Sequence, residues 1–335
     1  MVPALSVLIP ARNAAATVED ALASVAGQTF TDWEALVVDD GSSDDTAELV
    51  ARWAQRDRRF RLLRQDTPCG IVPALNRAVA EACAPVLARM DADDVSHPDR
   101  FERQLARLVV GDVQAVGCQV RYFPREQVAG GALRYEAWLN SVITPEEHDR
   151  DVFVECPLAH PTLMIQADAL HLVGGYRSRA WAEDYDLLLR LWEAGCRMAK
   201  VPEVLLHWRE APGRTSRTRP EYSLDALVRC RAHYLRRTPL RELPVVVFGA
   251  GPGGKSMARA LLAEGVRLTA FVDVDPRKTG RMVHGAPVLD PSEGFRLRGQ
   301  AFGVAALGQP GAREELRQAL VAAGWVEGVQ FRCAA

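Results

Sequence analysis

Mostly apolar runs alternate with amphipathic stretches along the N-terminal part of the chain. The runs at 5–10, 33–38, 60–63 and 85–88 predict short buried strands. Helical spacing of apolar residues predicts helices at 17–26, from a cap at 43–46 to about 55, at 73–82 and from 99 onward. Strands that alternate with helices indicate an α/β fold with a mostly parallel sheet and helices on both faces. Ligands are then expected at the carboxyl ends of the strands.

Three polar loops follow predicted strands, at 10–13, 39–42 and 91–94. The last of these carries Asp91, Asp93 and Asp94, and carboxylates packed this densely repel one another unless a cation lies between them. Hard oxygen ligands suit Mg²⁺ or Mn²⁺, which can also bind substrate phosphates. The alternative is a polar loop that caps the next helix, a role for which Asp99 is already available.

A sugar nucleotide would match these loops. A pyrimidine base presents an N–H that Asp40 could accept, beside backbone donors of the first loop, and a ribose offers hydroxyls to another carboxylate. A departing nucleoside diphosphate develops negative charge that a divalent cation can stabilise. The alternative for Asp39 and Asp40 is a turn with a helix cap, which Gly41 and Ser42 also support.

The middle of the chain is expected to continue this unit. Apolar runs predict strands at 113–120, 157–165 and 201–209, with helices at 167–172 and after 181, while 122–144 is expected to be irregular. Glu183 and Asp184 stand at the start of the helix after 181. Acidic residues are favourable there for dipole reasons alone. A carboxylate on the acceptor's side is also what an in-line displacement needs as a general base.

The ordered motifs in this region carry a resemblance. The stretches IPARNAAATVEDALASVAGQTFTDWEALVVDDGSSDDT, ALNRAVAEACAPVLARMDADD and, later, AEDYDL resemble family 2 glycosyltransferases of the GT-A fold over roughly residues 4–220. The resemblance implies an inverting enzyme that uses a nucleotide-sugar donor and Mn²⁺ or Mg²⁺. The residues implied to bind the donor are Pro10, Ala11, Asn13, Asp39, Asp40, Asp91, Asp94 and Arg209.

The resemblance also implies individual roles. Asp40 would contact the base, Asp91 the ribose and Asp93 the metal, with Asp91 as a second metal ligand. Asp184 would be the general base, with Glu183 as its neighbour. The chain departs from the family pattern at 74–77, where ALNR replaces the more usual A-R-N, and after Arg209, where a family histidine is missing. The candidate phosphate contacts in the segment that lacks this histidine are Arg209, Arg214 and Arg217.

The C-terminal part predicts a second, smaller α/β domain. A buried strand at 244–248 leads into a G-x-G-x-x-G turn at Gly249, Gly251 and Gly254, then a helix and a strand that ends at Asp273. This context is typical of dinucleotide-binding Rossmann folds. FVDVDPRKTGRMVHGAPVL is similar to Rossmann-like domains fused to sugar-modifying enzymes. The turn could bind a nucleotide, or it could be kept for packing in a docking domain.

The expected organisation is a GT-A domain at 1–220, a helical linker at 221–241 and a Rossmann-like domain at 242–335, joined near Thr238 and Pro239. Each domain has its own strand–helix pattern. We therefore expect the two to fold independently.

Composition narrows the function classes. The 335 residues carry a formal net charge of −2, which gives no electrostatic case for nucleic acid or an anionic membrane. The seven scattered cysteines lack a C-x-x-C pair, and no apolar run is long enough to span a bilayer, so a cytoplasmic location is expected. The expected partners are a nucleotide-sugar donor, expected to be UDP-linked, and a glycan, lipid-linked or small-molecule acceptor. The expected role is cell-surface polysaccharide or glycan synthesis.

Two other functions compete. A nucleotidyltransferase would need a glycine-rich loop after the first strand, and residues 11–16 contain no glycine. An NAD-binding oxidoreductase or sensor centred on the C-terminal domain would need catalytic residues, which that domain's sequence does not display.

Overall fold

The computed structural model describes residues 2–211, 213–237, 242–309 and 311–335, and its description of Thr215 and Ser216 is confined to the backbone. The chain divides into two compact units. The first comprises Met1–His148, Pro157–Arg179 and Asp186–Thr215, and the second comprises Asp149–Cys156, Ala180–Tyr185 and Ser216–Ala335. The domain boundaries expected at 220 and 241 stay predictions. Thr238 and Pro239, where the junction was expected, lie outside the described residues.

The first unit is built on an eight-stranded sheet. Its strands are β1 (Leu5–Ala11), β2 (Trp33–Asp40), β3 (Phe60–Gln65), β4 (Val86–Arg89), β5 (Val95–Ser96), β6 (Ala115–Phe123), β7 (Met164–Gln166) and β8 (Met198–Arg209). The helices up to residue 218 are α1 (Val18–Ala26), α2 (Thr46–Arg56), α3 (Ile71–Glu81), α4 (Arg100–Val109), α5 (Gly130–Ser141), α6 (Pro145–Asp151), α7 (Ala167–Leu172), α8 (Glu183–Glu193) and α9 (Thr215–Thr218).

The strand order is β3-β2-β1-β4-β7-β6-β8-β5. Strands β3, β2, β1 and β4 are parallel, as are β6 and β8, whereas β7 is antiparallel to both its neighbours and β5 is antiparallel to β8. The α/β class and the mostly parallel sheet are thus confirmed. The inner strands are almost continuously apolar because helices cover both of their faces.

Two local predictions were wrong. The segment 122–144, expected to be irregular, contains α5. Tyr135, Trp138 and Leu139 share one face of this helix, although it begins at Gly130, a residue with low helix propensity. The strand expected over 157–165 is reduced to β7, since a 3₁₀ turn at His160–Thr162 precedes it. In both places tertiary contacts override the local pattern; the buried Glu136 of α5, for instance, accepts the backbone N–H of Tyr122 at 2.7 Å.

The second unit contains a six-stranded sheet. Its strands are β9 (Val245–Phe248), β10 (Leu268–Val272), β11 (Met282–Val283), β12 (Ala286–Leu289), β13 (Phe302–Ala305) and β14 (Phe331–Cys333), and its helices are α10 (Leu224–Leu235), α11 (Pro252–Ala263), α12 (Pro291–Phe295) and α13 (Ala312–Ala322). The order is β11-β12-β10-β9-β13-β14, with β11 antiparallel to β12 and the rest parallel. The five parallel strands follow the 3-2-1-4-5 order of doubly wound α/β folds.

No helix among the described residues is both long enough and apolar enough to cross a lipid bilayer.

Candidate active site

The three predicted loops lie side by side at the carboxyl edge of the first sheet. The register pairs Ala11 of β1 with Asp39 of β2, and Leu8 of β1 with Arg89 of β4. The backbone N–H of Met90, just beyond β4, donates to the carbonyl of Leu8 at 3.1 Å. Strand pairing alone therefore brings the loop after β1, the Asp39–Asp40 pair and the acidic loop after β4 to one edge.

Asn13 braces the first two loops against each other. Its backbone has a positive φ of 49°, which asparagine tolerates better than most residues. Its N–H donates to Ser42 Oγ at 2.9 Å, and its side-chain oxygen accepts the N–H of Ser43 at 2.9 Å. The N–H of Ala14 donates to Thr46 Oγ1 at 2.8 Å, so the start of α2 holds the same loop. Asn13 thus shapes the edge on which Pro10 and Ala11 lie.

Asp39 and Asp40 are both buried at the end of β2, but their carboxylates differ in what they bind. Asp40 accepts the backbone N–H groups of Cys69 at 2.6 Å and Gly70 at 2.9 Å, one on each oxygen. Asp39 accepts the N–H of Ser42 at 3.3 Å on Oδ1. Its Oδ2 has no hydrogen-bond partner among the described residues and lies 4.0 Å from Arg64 Nε. Asp39 is therefore the carboxylate with a vacant acceptor.

Asp91, Asp93 and Asp94 form a tight cluster after β4. One oxygen from each lies within 4.8 Å of the other two. Asp91 accepts a hydrogen bond from Arg89 at 2.6 Å, and Asp94 accepts the backbone N–H of Arg209 at 2.7 Å. The second oxygen of Asp94 is buried without a hydrogen-bond partner among the described residues. A buried carboxylate oxygen in this state is costly unless a cation or donor completes it.

The titration of the cluster reflects crowding and burial. Burial, followed by the negative charge of Asp91, raises the pKa of Asp93 to about 6, although Arg214 and Arg89 partly oppose this shift. Burial, followed by Asp91 and Asp93, raises the pKa of Asp94 well above its ordinary value. A divalent cation would remove this repulsion, and three oxygen donors within reach of one another suit Mg²⁺ or Mn²⁺.

Arg209 fastens the end of β8 to the acidic loop. Its Nε donates to the carbonyl of Asp93 at 2.6 Å, and its Nη2 contacts Asp20 at 3.1 Å. The guanidinium also lies over the ring of Phe123, 4.6 Å from its centroid. These contacts make Arg209 a brace of the acidic loop; its predicted role in donor binding stays a prediction.

Arg214 is a further cation beside the cluster. Its guanidinium lies 4.5 Å from the ring centroid of Trp208, which stacks on Tyr122 at 4.9 Å, and 3.6 Å from a carboxylate oxygen of Glu210. The charge of Arg214 partly opposes the rise in the pKa of Asp93 and of Asp94.

Two buried arginines beneath the acidic loop had been given no role from the sequence. Arg89 and Arg100 are both almost inaccessible to solvent. Arg100 donates to the carbonyl of Arg89 at 2.6 Å and to Gln104 at 2.8 Å, while Gln104 donates to the carbonyls of Val116 and Thr162. An arginine inside an otherwise apolar strand was the available signal, since a buried charge needs a partner.

Glu183 and Asp184 begin α8, and the described contacts place them in the second unit. Glu183 is buried, and its Oε2 accepts the hydroxyl of Tyr222 at 2.6 Å. Asp184 accepts the backbone N–H of Tyr185 at 2.6 Å. The catalytic roles expected of the pair stay predictions.

The glycines of the C-terminal turn differ in whether the fold leaves space for a side chain. Gly249 has a φ of 110°, and a Cβ there would lie 2.6 Å from Leu307. A Cβ on Gly254 would lie 1.8 Å from the carbonyl oxygen of Gly249, whereas a Cβ on Gly251 would meet nothing within 4 Å. Gly249 and Gly254 are therefore required by the fold itself, and Gly251 is not.

Asp273, the acidic residue of the expected nucleotide site, already has local partners. It accepts the N–H of Ala250 at 2.8 Å, the N–H of Asp275 at 2.9 Å and Lys278 Nζ at 2.9 Å. Burial raises the pKa of Asp273, but these hydrogen bonds and the lysine charge outweigh it and lower the pKa. The turn is thus internally satisfied, and its predicted nucleotide binding stays a prediction.

Comparison with known proteins identifies the family. The sequence profile of glycosyl transferase family 2 matches residues 6–170. EpsE of Bacillus subtilis, a protein named as a glycosyltransferase, is 31% identical over 228 residues, which cover 67% of this chain and 79% of EpsE. The chain belongs to glycosyl transferase family 2. Another similar family 2 sequence is the O-antigen biosynthesis glycosyltransferase WbnJ of Escherichia coli, 28% identical over 210 residues, or 61% of this chain and 79% of WbnJ.

Solved structures confirm the GT-A fold of this family 2 chain. Staphylococcus aureus TarS 1–349 in complex with UDP-GlcNAc superposes with a TM-score of 0.57 at 18% identity, covering 70% of this chain and 67% of that one. The mannosyltransferase PcManGT of Pyrobaculum calidifontis, in complex with GDP-Man and Mn²⁺, superposes with a TM-score of 0.52 at 22% identity, covering 78% and 69%. At these identities the likeness concerns the fold alone.

The glycine turn yields a prediction about stability. Gly254→Ala should lower the free energy of unfolding by about 3 kcal/mol or more, because its Cβ would overlap a backbone carbonyl that cannot move aside. Gly251→Ala, the matched control three positions earlier in the same motif, should stay within about 0.5 kcal/mol of the wild type. Denaturant unfolding of both variants checks this, and equal stability of the two would contradict it.

The acidic cluster yields a prediction about pH. Because the pKa of Asp93 is higher in the folded chain than in the unfolded chain, the folded state binds more protons between the ordinary carboxyl pKa and about 6. This group's contribution to stability therefore falls as pH rises through that window. With a chelator present, Asp93→Asn should raise the melting temperature at about pH 7.5 and change it little at about pH 4.

Two further measurements control this experiment. Mn²⁺ should raise the melting temperature of the wild type more than that of Asp93→Asn, since only a site that binds the ion gains stability from it. Asp66→Asn removes an exposed carboxylate outside the cluster and controls for the loss of one negative charge. A gain for Asp93→Asn that is the same at both pH values would refute the electrostatic interpretation.

Proposed function

We propose that this family 2 chain is an inverting, metal-dependent glycosyltransferase that moves a sugar from a nucleoside-diphosphate sugar, most suitably a UDP-sugar, to a hydroxyl acceptor. The observation that carries the proposal is the grouping of three carboxylates after β4 with the vacant acceptor of Asp39 on the same sheet edge. Phosphates, a base and a sugar present complementary groups to such an edge.

The acidic cluster is the proposed metal site. Asp91 and Asp93 would hold Mn²⁺ or Mg²⁺, and the orphaned oxygen of Asp94 offers a third donor. The bound ion would supply positive charge to the diphosphate. The buried Arg89 and the backbone N–H of Arg209 keep the carboxylates in place, so that the site is ordered before a donor arrives. PcManGT, a structure of the same fold, was solved with Mn²⁺.

Recognition of the base is assigned to Asp39. Both oxygens of Asp40 are engaged by the amides of Cys69 and Gly70, so Asp40 holds the adjoining loop. Oδ2 of Asp39 is enclosed in this structure, so we expect it to accept the N3–H of a uracil ring once donor binding makes it accessible, beside backbone donors of the loop at 10–13. The expectation from the sequence that Asp40 contacts the base stays a prediction beside this proposal.

Asp184 is the proposed general base, with Glu183 beside it. An inverting displacement needs a carboxylate that accepts the proton of the attacking hydroxyl. The support is the A-E-D-Y-D-L motif, which resembles the corresponding family motif. Near the donor, Arg214 offers a positive charge that already acts on Asp93 and Asp94.

The acceptor is proposed to be a glycan, a lipid-linked sugar or a small molecule in cell-surface polysaccharide synthesis. The support is similarity to WbnJ, a protein named for O-antigen biosynthesis. A nucleotidyltransferase has less support, because the loop 11–16 lacks the glycines that cradle a triphosphate. An NAD-binding role for the second unit has less support, because Asp273 is engaged by Ala250 and Lys278.

A donor screen tests the proposal. The purified chain is incubated with UDP-, GDP-, dTDP- and CMP-sugars and Mn²⁺, and nucleotide release is measured with and without mixed acceptors. We expect release from one nucleotide class, lost on chelation. Asp93→Ala should abolish it because a metal-binding carboxylate is gone. Full activity of Asp93→Ala with Mn²⁺ would refute the metal assignment, and release of pyrophosphate from nucleoside triphosphates would favour the nucleotidyltransferase.

The two neighbouring aspartates give a matched pair of variants. Asp39→Asn should raise the donor KM about 10- to 100-fold, because a hydrogen bond to a charged group contributes roughly 1.5–3 kcal/mol. Asp40→Asn should mainly lower the melting temperature, since two backbone amides lose a charged acceptor. Steady-state kinetics with thermal melts distinguish the two. A larger KM effect from Asp40→Asn would return base recognition to Asp40.

A further inference from the structure

The start of α8 is held by side chains that come from the C-terminal part of the second unit. Tyr222, which ends a 3₁₀ turn just before α10, donates its hydroxyl to Oε2 of the buried Glu183 at 2.6 Å. Arg229 of α10 donates to the carbonyl of Ala180 at 3.2 Å. The rings of Trp181 and His233 lie 5.3 Å apart. The segment that carries Glu183 and Asp184 is thus packed on α10.

Arg231 of α10 ties three pieces of chain together. Its side chain is buried; Nη1 donates to the carbonyl of Ala334 at 3.1 Å, and Nη2 lies 3.4 Å from a carboxylate oxygen of Glu155. Its guanidinium carbon lies 5.9 Å from the ring centroid of Tyr185. Burial lowers the pKa of Arg231, but Tyr185 and Glu155 outweigh it and raise the pKa, so the guanidinium is charged.

Tyr185 connects these contacts to Asp184. Its ring is fully buried, and its hydroxyl donates to the carbonyl of Val152 at 2.7 Å. Its backbone N–H donates to the carboxylate of Asp184 at 2.6 Å. A side chain fixed at both its ring face and its hydroxyl leaves the adjoining N–H little freedom, and the Asp184 carboxylate is aligned by that N–H.

The segment that holds Tyr185 is itself anchored to the C-terminal sheet and α13. Asp151 is buried and accepts Nη2 of Arg317 at 2.7 Å, and the same arginine contacts Glu327 at 2.8 Å. Arg332 of β14 donates to the carbonyl of Asp149 at 2.6 Å. A continuous series of contacts therefore runs from β14 and α13, through residues 149–155 and Tyr185, to Asp184.

We propose that Tyr222 and Arg231 are positioning residues for the Glu183–Asp184 pair, and that the C-terminal sheet contributes to glycosyl transfer by holding this pair in place. The inference rests on the proposed function for the role of Asp184 as the base. It assigns the second unit a part in catalysis that needs no nucleotide of its own. Positioning matters because a displacement of about 1 Å at a reacting group can cost on the order of 100-fold in rate.

Tyr222→Phe is the most selective test, because it removes one hydroxyl and keeps the ring. In the full-length enzyme with its identified donor and acceptor, we expect kcat to fall about 10- to 100-fold while the donor KM is unchanged. Hydrogen–deuterium exchange of peptides covering residues 180–186 should become faster. Leu224→Ala, which changes an exposed side chain at the start of α10, should change neither quantity.

A double-mutant cycle with Glu183→Gln shows whether Tyr222 acts through Glu183. If it does, the double variant loses no more kcat than Glu183→Gln alone, whereas independent effects would multiply. Arg231→Lys supplies a second variant, since a lysine keeps the charge but lacks the planar fork that reaches Ala334, Glu155 and Tyr185 together. It should give the same pattern of lowered kcat, unchanged donor KM and faster exchange.

Asp184→Asn, measured in parallel, separates the two levels of inference. As the general base it should lose about 10²–10⁴-fold in kcat. If Asp184→Asn is impaired while Tyr222→Phe and Arg231→Lys keep wild-type kcat and exchange, the positioning proposal is overturned and the proposed function stands. If Asp184→Asn is fully active, the base assignment fails, and the positioning role fails with it, while donor turnover by the chain is still demonstrated by the screen.

Discussion

Mutual repulsion among Asp91, Asp93 and Asp94 is the constraint on which the first unit depends. Three carboxylates whose oxygens lie within 4.8 Å of one another destabilise a folded chain unless positive charge and hydrogen-bond donors surround them. In this fold the cluster is stabilised by the side chain of Arg89, by the backbone N–H of Arg209 and by the nearby charge of Arg214. The negative charge that these groups do not neutralise is what would attract a divalent cation.

This arrangement explains why so many polar groups are buried around β4. Arg89 needs its own support, which Arg100 gives at its carbonyl, and Arg100 in turn is held by Gln104. The side-chain amide of Gln104 donates to the carbonyls of Val116 and Thr162. These hydrogen bonds connect the acidic loop to β6 and to the turn before β7. Buried polar networks of this kind are costly when partly satisfied. Substitutions far from the carboxylates can therefore disturb the acidic cluster proposed to bind the metal.

Much of the first unit could be predicted from the sequence because its signals are local. Strands β1, β2 and β4 are apolar runs that end at polar loops, and parallel pairing then requires those loops to meet at one edge. The different hydrogen-bond partners of Asp39 and Asp40 could not be predicted. They depend on the amides of Cys69 and Gly70, which lie about 30 positions away in the chain and reach Asp40 only in the folded state. The helix α5 was missed for a similar reason, since Glu136 is held by the backbone of Tyr122.

The second unit is assembled from pieces that are distant in sequence, and this has a consequence for its biogenesis. Asp151 and Arg317 are 166 positions apart, and Asp149 and Arg332 are 183 apart. At a synthesis rate of roughly 5–20 residues per second, residues 149–155 would be synthesised roughly 8–37 s before Arg317 and Arg332. During that interval Asp151 can pair with its neighbour Arg150 but still lacks Arg317. Folding of the unit is therefore completed late, after translation of β14, and nascent chains are exposed to chaperones and proteases for longer than the N-terminal sheet alone would require.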